Sequence, residues 1–456
     1  MFTKVLVANR GEIAVRIIRA CRELGIQTVA VYSEADRYAM HTEMADEAIC
    51  IGPARASDSY LNMEQILSAA ILTGAQAIHP GFGFLAENSL FAEMCRDCQI
   101  KFIGPSADLI DAMGNKINAR ALMIAADVPV IPGSQGVVAT VEEAEKIAGE
   151  IGFPIMLKAA AGGGGKGIRK VMAPSELSSQ FHNAQSEARA AFGNDAMYIE
   201  KIIYPARHIE VQILGDQYGQ VIHLGERDCS LQRNNQKVLE EAPSFALSDA
   251  LRSKMGEAAL KAARSIDYEG AGTIEFLVDE QDDFYFMEMN TRIQVEHPVT
   301  EMITGVDIVK EQLRIAAGEA LTIKQEEVVF AGHAIECRIN AESPARDFAP
   351  SPGTINHLIL PAGGLGLRVD SAMYNGYQIP PFYDSMIAKI IVHGHTREEA
   401  IQKMQRALLE LVTDGVETNQ EFQLDLLADE GVLTGDYSTA YLQEEFLPKW
   451  LGTSGN

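Results

Sequence analysis

Cysteine is scarce in this sequence, and its spacing is irregular. The cysteines are Cys21, Cys50, Cys95, Cys98, Cys229 and Cys337. Such scatter along a long chain excludes a disulfide framework of the kind that holds small secreted domains together. Cys95 and Cys98 form one C-x-x-C, but no second pair completes a zinc site, so we interpret them as neighbours on a helix face. A reducing cytoplasm is the expected location.

Basic residues are also few: 38 Lys and Arg stand against 63 Asp and Glu, for a net charge of −25. A protein that tracks nucleic acid needs a basic stripe, and none is visible. No run approaches the length of about eighteen apolar residues that a membrane span requires. The apolar part of the first residues is too short for a signal peptide. An anionic substrate must therefore meet a few local cations inside an acidic surface.

The chain up to Gly104-Pro105 alternates short apolar strands with helices. Apolar residues at helical spacing predict a helix over Glu12–Leu24, between strands at Val5–Ala8 and Thr28–Tyr32. Further strands are expected at Gln76–His79 and Lys101–Ile103. This alternation favours a parallel sheet with helices on both faces.

Beyond this region the pattern changes. A helix is predicted over Asp108–Ala126, followed by a small unit in which strands Ile155–Lys158, Ile168–Val171 and Met197–Glu200 mix with helices. From His208 onwards the sequence is rich in alternating strands. The last six residues resemble a loose tail. The sequence predicts a mixture of α/β and α+β structure.

A Gly-rich run, Ala161-Gly-Gly-Gly-Gly-Lys-Gly167, lies between two of these strands. Glycines let backbone amides approach phosphate oxygens, and Lys166 adds charge. The run is not a Walker P-loop, because Gly167 follows the lysine where Ser or Thr is required. Lys158 on the preceding strand supplies a second cation. The alternative is a flexible surface turn.

Two strands, Thr273–Val278 and Phe284–Asn290, flank an acidic turn. If Leu277 pairs with Phe284, one face carries Glu275, Phe286, Glu288 and Asn290. Carboxylate and amide oxygens are suited to Mg²⁺. The alternative is a solvated acidic face, which the flanking Met, Phe and Tyr residues disfavour.

The next segment, Asn290-Thr-Arg-Ile-Gln-Val-Glu-His297, places a cation and a candidate base beside these ligands if the strand continues. Arg292 could hold a planar oxyanion with two hydrogen bonds. Glu296 could remove a proton. Lys237 is a further cation in an acid-rich stretch. Singly, each of these charges is more typical of a surface, but together they suit anion activation.

At this point the sequence resembles the biotin carboxylase family of the ATP-grasp superfamily, and in particular the separate biotin carboxylase subunits of bacterial acetyl-CoA carboxylases. The resemblance covers nearly the whole chain. It rests on the Gly-rich run and on Ala8-Asn-Arg-Gly-Glu-Ile13, His79-Pro-Gly-Phe-Gly-Phe84, Met113-Gly-Asn-Lys116, Glu226-Arg-Asp-Cys-Ser230 and Glu288-Met-Asn-Thr-Arg-Ile-Gln-Val-Glu-His-Pro-Val-Thr-Glu301.

The resemblance implies a role for each matching residue. ATP phosphates would be held by Lys116, Lys158, Gly164, Gly165 and His208. The adenine side would comprise Glu200, Lys201, Ile203 and Gln232, with Asn235 standing where many relatives have a ribose-binding His. Magnesium, or manganese, would bind Glu275, Glu288 and Asn290. Bicarbonate would be cradled by Lys237, Arg292, Gln294 and Val295, with Glu296 as the base and Arg338 steadying the biotin enolate.

The family architecture also implies domain limits. A Rossmann-like N-terminal domain would span 1–113, an ATP-grasp domain 114–330 with a mobile lid at about 132–203, and a strand-rich C-terminal domain 331–446 before a tail at 447–456. The sequence holds no Met-Lys-Met signature around a biotinyl lysine and no carboxyltransferase region. A biotin carboxyl carrier protein and carboxyltransferase subunits are therefore expected as partners, and a homodimer is expected by resemblance.

Three rival interpretations stay open. Carbamoyl-phosphate synthetase also activates bicarbonate, but such chains are usually longer and duplicated. A biotin carboxylase subunit of a pyruvate or propionyl-CoA carboxylase is hard to separate, because the acyl acceptor binds elsewhere. A regulatory subunit that has lost catalysis would show erosion at the site, yet Lys237, Glu288, Arg292 and Glu296 are all present.

Overall fold

A parallel sheet forms the N-terminal part of the computed structural model, which describes residues 1–159 and 167–453. Its strands lie in the spatial order Glu47–Gly52, Gln27–Ser33, Lys4–Val7, Ala77–His79, Lys101–Phe102. All pairs are parallel, as predicted. Val5 and Val7 pack on the helix Gly11–Glu23, and Leu6 packs in the cluster on the other face. The edge strand Glu47–Gly52 was missed, and three of its six residues are exposed.

The long helix predicted over Asp108–Ala126 is two helices, Ala107–Gly114 and Lys116–Ala125. Asn115 separates them, and its side-chain oxygen accepts hydrogen bonds from the amides of Ile117 (3.0 Å) and Asn118 (3.2 Å). An asparagine cap of this kind starts a new helix. The break therefore places Lys116 in a first helical turn, where anions are favoured.

A three-stranded antiparallel sheet follows, with Ile155–Ala159 between Ile168–Val171 and Met197–Lys201. The helices Val141–Ile151 and Pro174–Phe192 pack against it. These are the strands and helices that the sequence predicts for the small unit. The Gly-rich run up to Lys166, with Gly164 and Gly165, lies outside the described residues.

One antiparallel sheet of eight strands continues from the central region into the C-terminal region. Its spatial order is Phe284–Asn290, Gly270–Val278, Arg207–Gly215, Val221–Arg233, Gln236–Ala242, His333–Asn340, Met386–Gly394, Leu367–Ser371. The strand Gln236–Ala242 pairs directly with His333–Asn340, so the two regions share a hydrogen-bonded sheet. The predicted strand-rich character after His208 is confirmed.

The register predicted for the acidic hairpin was wrong. Leu277 pairs with Tyr285, and a bulge beyond Phe276 brings Glu275 opposite Glu288. The bulge adds one residue to the strand Phe284–Asn290 and so changes which of its side chains share a face. Phe286 therefore packs in the hydrophobic core with Phe276, while Glu275 and Glu288 remain together on the other face.

The remaining elements are shorter. The other helices are Met40–Met44, Met63–Thr73, Ser89–Asp97, Asp249–Ser265, His297–Thr304, Ile308–Ala316, Arg397–Glu410, Gln420–Leu426, Glu430–Thr434 and Leu447–Thr453. Short strand pairs join Glu342–Ser343 to Ala349–Pro350, Gly353–Thr354 to Gln378–Ile379, and His357–Ile359 to Val412–Asp414. Single turns of helix occur at Glu34–Asp36, Ala56–Asp58, Gln325–Glu327, Pro344–Arg346 and Leu442–Phe446.

Residues 447–453, where a tail was expected, form a helix that packs on the C-terminal core. The ring of Trp450 lies edge-on to that of Phe422, 5.3 Å away. None of the helices in the described ranges combines the length and the apolar character needed to cross a bilayer.

Candidate active site

A lysine that is largely shielded from solvent lies at the centre of the site, on the strand Gln236–Ala242. The Lys237 ammonium lies 2.5 Å from Glu210 Oε2, 2.5 Å from Glu296 Oε1 and 3.2 Å from Glu275 Oε1. Burial alone would lower the pKa of Lys237, but the surrounding acidic groups hold it well above the ordinary value. Lys237 therefore stays charged and can meet an anionic substrate.

The sheet register explains why these acids converge. Glu210 and Glu275 are directly opposite on neighbouring antiparallel strands. Two like charges in that relation destabilise a sheet unless cations lie between them. Lys237 supplies one cation, and the fully buried Arg227 supplies another through its hydrogen bond to Glu210. Sequence reasoning missed Glu210 and Arg227, although the polar–apolar alternation His208-Ile-Glu-Val-Gln-Ile213 was a signal for Glu210.

Glu296 lies in a loop and not on a continued strand. The strand ends at Asn290, and the helix His297–Thr304 begins immediately after Glu296. The carboxylate nevertheless faces the site, with Oε2 3.1 Å from Arg338 Nη2. Burial would raise the pKa of Glu296, but Lys237, Arg338 and Arg227 hold it well below its ordinary value. The predicted base is therefore ionised, which is the form that can accept a proton.

Arg338 is held between two carboxylates. Its Nε donates to Glu240 Oε1 at 2.7 Å, and its Nη2, which contacts Glu296, also pairs with Glu240. Burial raises the pKa of Glu240 to about 7, although the nearby Arg338 guanidinium works against this. Glu240 was not predicted, because only the pairing of its strand with His333–Asn340 brings it to Arg338.

Arg292 has a partner from the N-terminal region. Its Nε donates to Glu87 Oε2 at 2.8 Å, and its Nη2 donates to Asn290 Oδ1 at 2.9 Å. The backbone amide of Thr291 also donates to Glu87 at 3.2 Å. Glu87 was missed because it lies 205 residues from Arg292 in the chain. The one available signal was its place after the Gly-rich turn that follows the strand Ala77–His79.

Gln294 ties the loop to the sheet. Its Oε1 accepts from Arg227 Nη2 at 2.7 Å, and its Nε2 donates to Glu275 Oε1 at 2.7 Å. The carbonyl of Val295 accepts from Lys389 Nζ, also at 2.7 Å. The loop that carries the predicted bicarbonate residues is thus held by buried side chains from several strands.

The three predicted metal ligands lie together. Glu275 and Glu288 are opposite partners, and Asn290 Nδ2 donates to Glu275 Oε1 at 2.9 Å. The Glu288 side chain is 42% exposed, and its nearest ion-pair partner is Lys116 at 3.6 Å. A half-exposed carboxylate beside a buried one, with an amide oxygen near them, offers the hard oxygen donors that magnesium prefers. Their role as ligands of a divalent cation remains a prediction.

The His208 imidazole contacts Glu275, one of these predicted ligands. Its Nε2 is 2.9 Å from Glu275 Oε2. Burial would lower the pKa of His208, but the Glu275 carboxylate raises it above the ordinary value. A protonated imidazole at this position adds positive charge close to the predicted phosphate site.

The predicted nucleotide residues occupy the small sheet and a hairpin turn. Lys158 forms an ion pair with Glu200 across neighbouring strands. Lys201 Nζ donates to the carbonyl of Phe153 at 2.7 Å. Ile203 follows the same strand, and Gln232 lies near the end of Val221–Arg233.

Asn235 has a structural reason to be asparagine. It and Asn234 form the two-residue turn between Val221–Arg233 and Gln236–Ala242, with φ angles of 64° and 49°. Asparagine adopts this left-handed region more readily than most residues, and the two-residue hairpin turn requires it. Lys237 follows Asn235 by two residues and lies near the start of the strand Gln236–Ala242.

Family models match the chain in three consecutive segments. Residues 1–110 match the biotin carboxylase N-terminal domain, residues 115–324 the ATP-binding domain of the carbamoyl-phosphate synthase L chain, and residues 336–444 the biotin carboxylase C-terminal domain. A relative from Bacillus subtilis named biotin carboxylase 1 is 60% identical over 444 residues, which are 97% of this chain and 98% of the relative.

Solved structures agree with these matches. A biotin carboxylase from Campylobacter jejuni in complex with βγ-ATP has a TM-score of 0.93 at 50% identity, covering 97% of this chain and 98% of that one. The biotin carboxylase domain dimer of 2-oxoglutarate carboxylase from Hydrogenobacter thermophilus, in complex with MgADP, ADP and bicarbonate, also has a TM-score of 0.93, at 53% identity and 99% coverage of both chains. Three family models match in order along the chain and relatives match nearly its whole length, so the chain belongs to the biotin carboxylase family.

Proposed function

We propose that this chain uses ATP and bicarbonate to carboxylate biotin on a carrier protein, through carboxyphosphate, as the first half-reaction of an acetyl-CoA carboxylase in fatty acid synthesis. One observation carries the proposal: the Glu296 carboxylate lies between Lys237 and Arg338, 2.5 Å from one and 3.1 Å from the other. This arrangement places a proton acceptor beside two cations that can hold an anion.

Bicarbonate activation needs a base and a cradle. Bicarbonate would lie against Lys237, Arg292, Gln294 and Val295, with its proton directed at Glu296. Bicarbonate is itself an anion, so it takes a share of the positive charge that now lowers the pKa of Glu296. The carboxylate becomes a better base once the substrate is bound, which suits general-base catalysis.

ATP would lie between the small sheet and the acidic hairpin. Its phosphates would contact Lys116, Lys158, Gly164, Gly165 and His208, and its nucleoside would contact Glu200, Lys201, Ile203, Gln232 and Asn235. A divalent cation, Mg²⁺ or Mn²⁺, held by Glu275, Glu288 and Asn290 would neutralise charge on the phosphates during transfer. The small unit at about 132–203 would act as the lid that keeps water from carboxyphosphate.

The second step involves biotin. Carboxyphosphate breaks down to CO₂ and phosphate, the phosphate takes the ureido proton, and the biotin nitrogen attacks CO₂. Negative charge develops on the ureido oxygen, and a guanidinium beside that oxygen stabilises it. Arg338 is already charged and held by Glu240 and Glu296, so little reorganisation is required.

The acyl acceptor and the partners are part of the proposal. A relative from Methanothermobacter thermautotrophicus, 54% identical over 444 residues that cover 97% of this chain and 90% of that one, is named as part of a pyruvate carboxylase. The biotin carboxylase component of a pyruvate or propionyl-CoA carboxylase is therefore the second candidate.

We propose that this chain forms a homodimer and works with a biotin carboxyl carrier protein and separate carboxyltransferase subunits. The domain limits at 113, 330 and 446 and the cytoplasmic location remain predictions.

A direct assay tests the activity. The protein is mixed with MgATP, free biotin and labelled bicarbonate, and labelled carboxybiotin is measured together with phosphate release. We expect carboxybiotin, and phosphate release that depends on bicarbonate. ATP cleavage at the same rate without bicarbonate, or no carboxybiotin from the folded protein, would contradict the proposal.

A further inference from the structure

Lys389 is a fully buried lysine in a largely apolar strand. It lies in Met386–Gly394, whose sequence is Met-Ile-Ala-Lys-Ile-Ile-Val-His-Gly, and its side chain is 0% exposed. A buried ammonium is costly unless it is paired, and an apolar residue at such a position is often at least as stabilising. Folding alone gives little reason for a lysine at this place.

The contacts of Lys389 join three parts of the chain. Its Nζ donates to the carbonyl oxygen of Val295 at 2.7 Å and lies 3.0 Å from Glu12 Oε1. Glu12 belongs to the first helix, Gly11–Glu23, whereas Val295 lies in the loop between Asn290 and the helix His297–Thr304. The lysine thus ties the N-terminal helix and the C-terminal strand to the loop.

The hydrogen bond from Lys389 to Val295 matters for the chemistry because of its position in the loop. The Val295 carbonyl and the Glu296 amide belong to one planar peptide group. Fixing that carbonyl fixes the orientation from which the Glu296 side chain leaves the backbone. The loop has no ladder of strand hydrogen bonds here, so its geometry depends on such side-chain contacts.

Glu12 in turn depends on Lys389. Within residues 1–159 and 167–453, neither carboxylate oxygen of Glu12 accepts a hydrogen bond, and the side chain is 6% exposed. The ammonium therefore provides its charge compensation. Lys389 is also the direct cross-strand partner of Arg338, so two cations lie opposite each other and each needs its own acid. The Glu12 carboxylate holds the Lys389 ammonium close to the Val295 carbonyl, while the Glu240 and Glu296 carboxylates hold the Arg338 guanidinium.

We propose that Lys389, held by Glu12, is a positioning residue that orients the Val295–Glu296 peptide and so aims the Glu296 carboxylate at bicarbonate. The proposal rests on the proposed function, because Glu296 acts there as the base. A displacement of about 1 Å at a reacting group can reduce the rate by roughly a hundredfold. Loss of Lys389 should therefore lower kcat without affecting the distant nucleotide contacts.

The test uses the double variant Glu12→Gln/Lys389→Met, which removes both buried charges at once. We expect kcat for bicarbonate-dependent ATP cleavage to fall by roughly 10- to 100-fold, while KM for ATP stays within about twofold. Amide hydrogen exchange in residues 291–297 should become faster. The matched control, Glu241→Gln/Arg397→Met, removes another buried ion pair, at 2.7 Å, whose other hydrogen-bond partners, His333, Val432, Leu433 and Tyr437, lie outside this loop. It should lose stability but keep kcat and the exchange of 291–297.

The outcomes separate this proposal from the proposed function. Unchanged exchange in 291–297, or equal losses of kcat in the double variant and its control, would overturn the positioning role. A parent protein without bicarbonate-dependent cleavage would instead refute the proposed function, and the exchange measurement would still decide the positioning. Should the double variant fail to fold, Glu12→Gln is measured in the same two ways, and unchanged kcat and exchange overturn the proposal.

Discussion

The Glu296 carboxylate lies 2.5 Å from the Lys237 ammonium, in a site where both side chains are largely shielded from solvent. The two residues are 59 positions apart in the chain and come from a loop and a strand. Their contact keeps the pKa of Glu296 well below its usual value and that of Lys237 well above it. A pair of this kind holds charge in place until an anion arrives to share it.

The base itself can be tested by Glu296→Gln. The amide keeps the shape of the side chain but cannot accept the proton of bicarbonate. We expect ATP to bind normally and bicarbonate-dependent ATP cleavage to fall by roughly 10²–10⁴-fold. Binding is measured by titration with a non-hydrolysable ATP analogue, and cleavage by phosphate release. Glu280→Gln, at an exposed turn, is the matched control. Near-parental turnover in Glu296→Gln would remove Glu296 from the mechanism.

Arg338→Gln should separate the two halves of the reaction. Carboxybiotin formation is expected to fall by roughly 10²–10³-fold, because the guanidinium no longer opposes charge on the ureido oxygen. Bicarbonate-dependent ATP cleavage without biotin should fall much less, because Lys237 still contacts Glu296 at 2.5 Å. Glu240, with its pKa raised to about 7, can take up a proton and so limits the cost of the lost partner. Equal loss of both activities, together with a lower Tm, would favour a structural role.

The metal ligands should differ in what they do for folding. Glu288 is 42% exposed, so Glu288→Gln should need much more Mg²⁺ for activity and melt near the parent temperature. Glu275 is buried and contacts Lys237, His208, Asn290 and Gln294, so Glu275→Gln should lower both activity and Tm. The measurements are Mg²⁺ titrations of ATP cleavage and thermal melts. A large loss of Tm in Glu288→Gln, with normal Mg²⁺ dependence, would contradict the assignment.

Acid sensitivity should be traceable in part to Glu241, which is buried away from the site. Burial would raise its pKa, but His333 and Arg397 lower it from 4.5 to about 2. At pH values between about 2 and 4.5, the native state therefore binds fewer protons than the unfolded chain. The ionised carboxylate contributes about 3 kcal/mol near neutral pH. This contribution is complete above about pH 4.5 and is lost as the pH falls towards 2.

The check is denaturant unfolding of the parent and of Glu241→Gln at several pH values. The parent should be the more stable at pH 7, and the difference should shrink in acid. A difference that stays constant from pH 7 to pH 3 would contradict the role of the Glu241 charge.

Local patterns in the sequence determined much of this protein. The spacing of Ile13, Ile17 and Cys21 predicts the first helix, and the short apolar runs around it predict the parallel sheet that the structure contains. These patterns work because burial of one helix face or of a whole strand depends on neighbours in the chain. The residues Glu288, Arg292 and Glu296 were also found in this way, because they lie in one short segment.

Tertiary structure decided which distant side chains meet. Glu87, Glu210, Arg227 and Glu240 join the site through sheet pairing and domain packing, which bring together residues far apart in the chain. The bulge beyond Phe276 moved Phe286 into the core, because one extra residue changes the face of those beside it. Lys389, Glu12 and Val295 meet only in the folded chain. The sequence by itself determined the local elements and the chemical groups, whereas the charge state and orientation of each group depend on burial and on partners that long-range packing brings within a few ångströms.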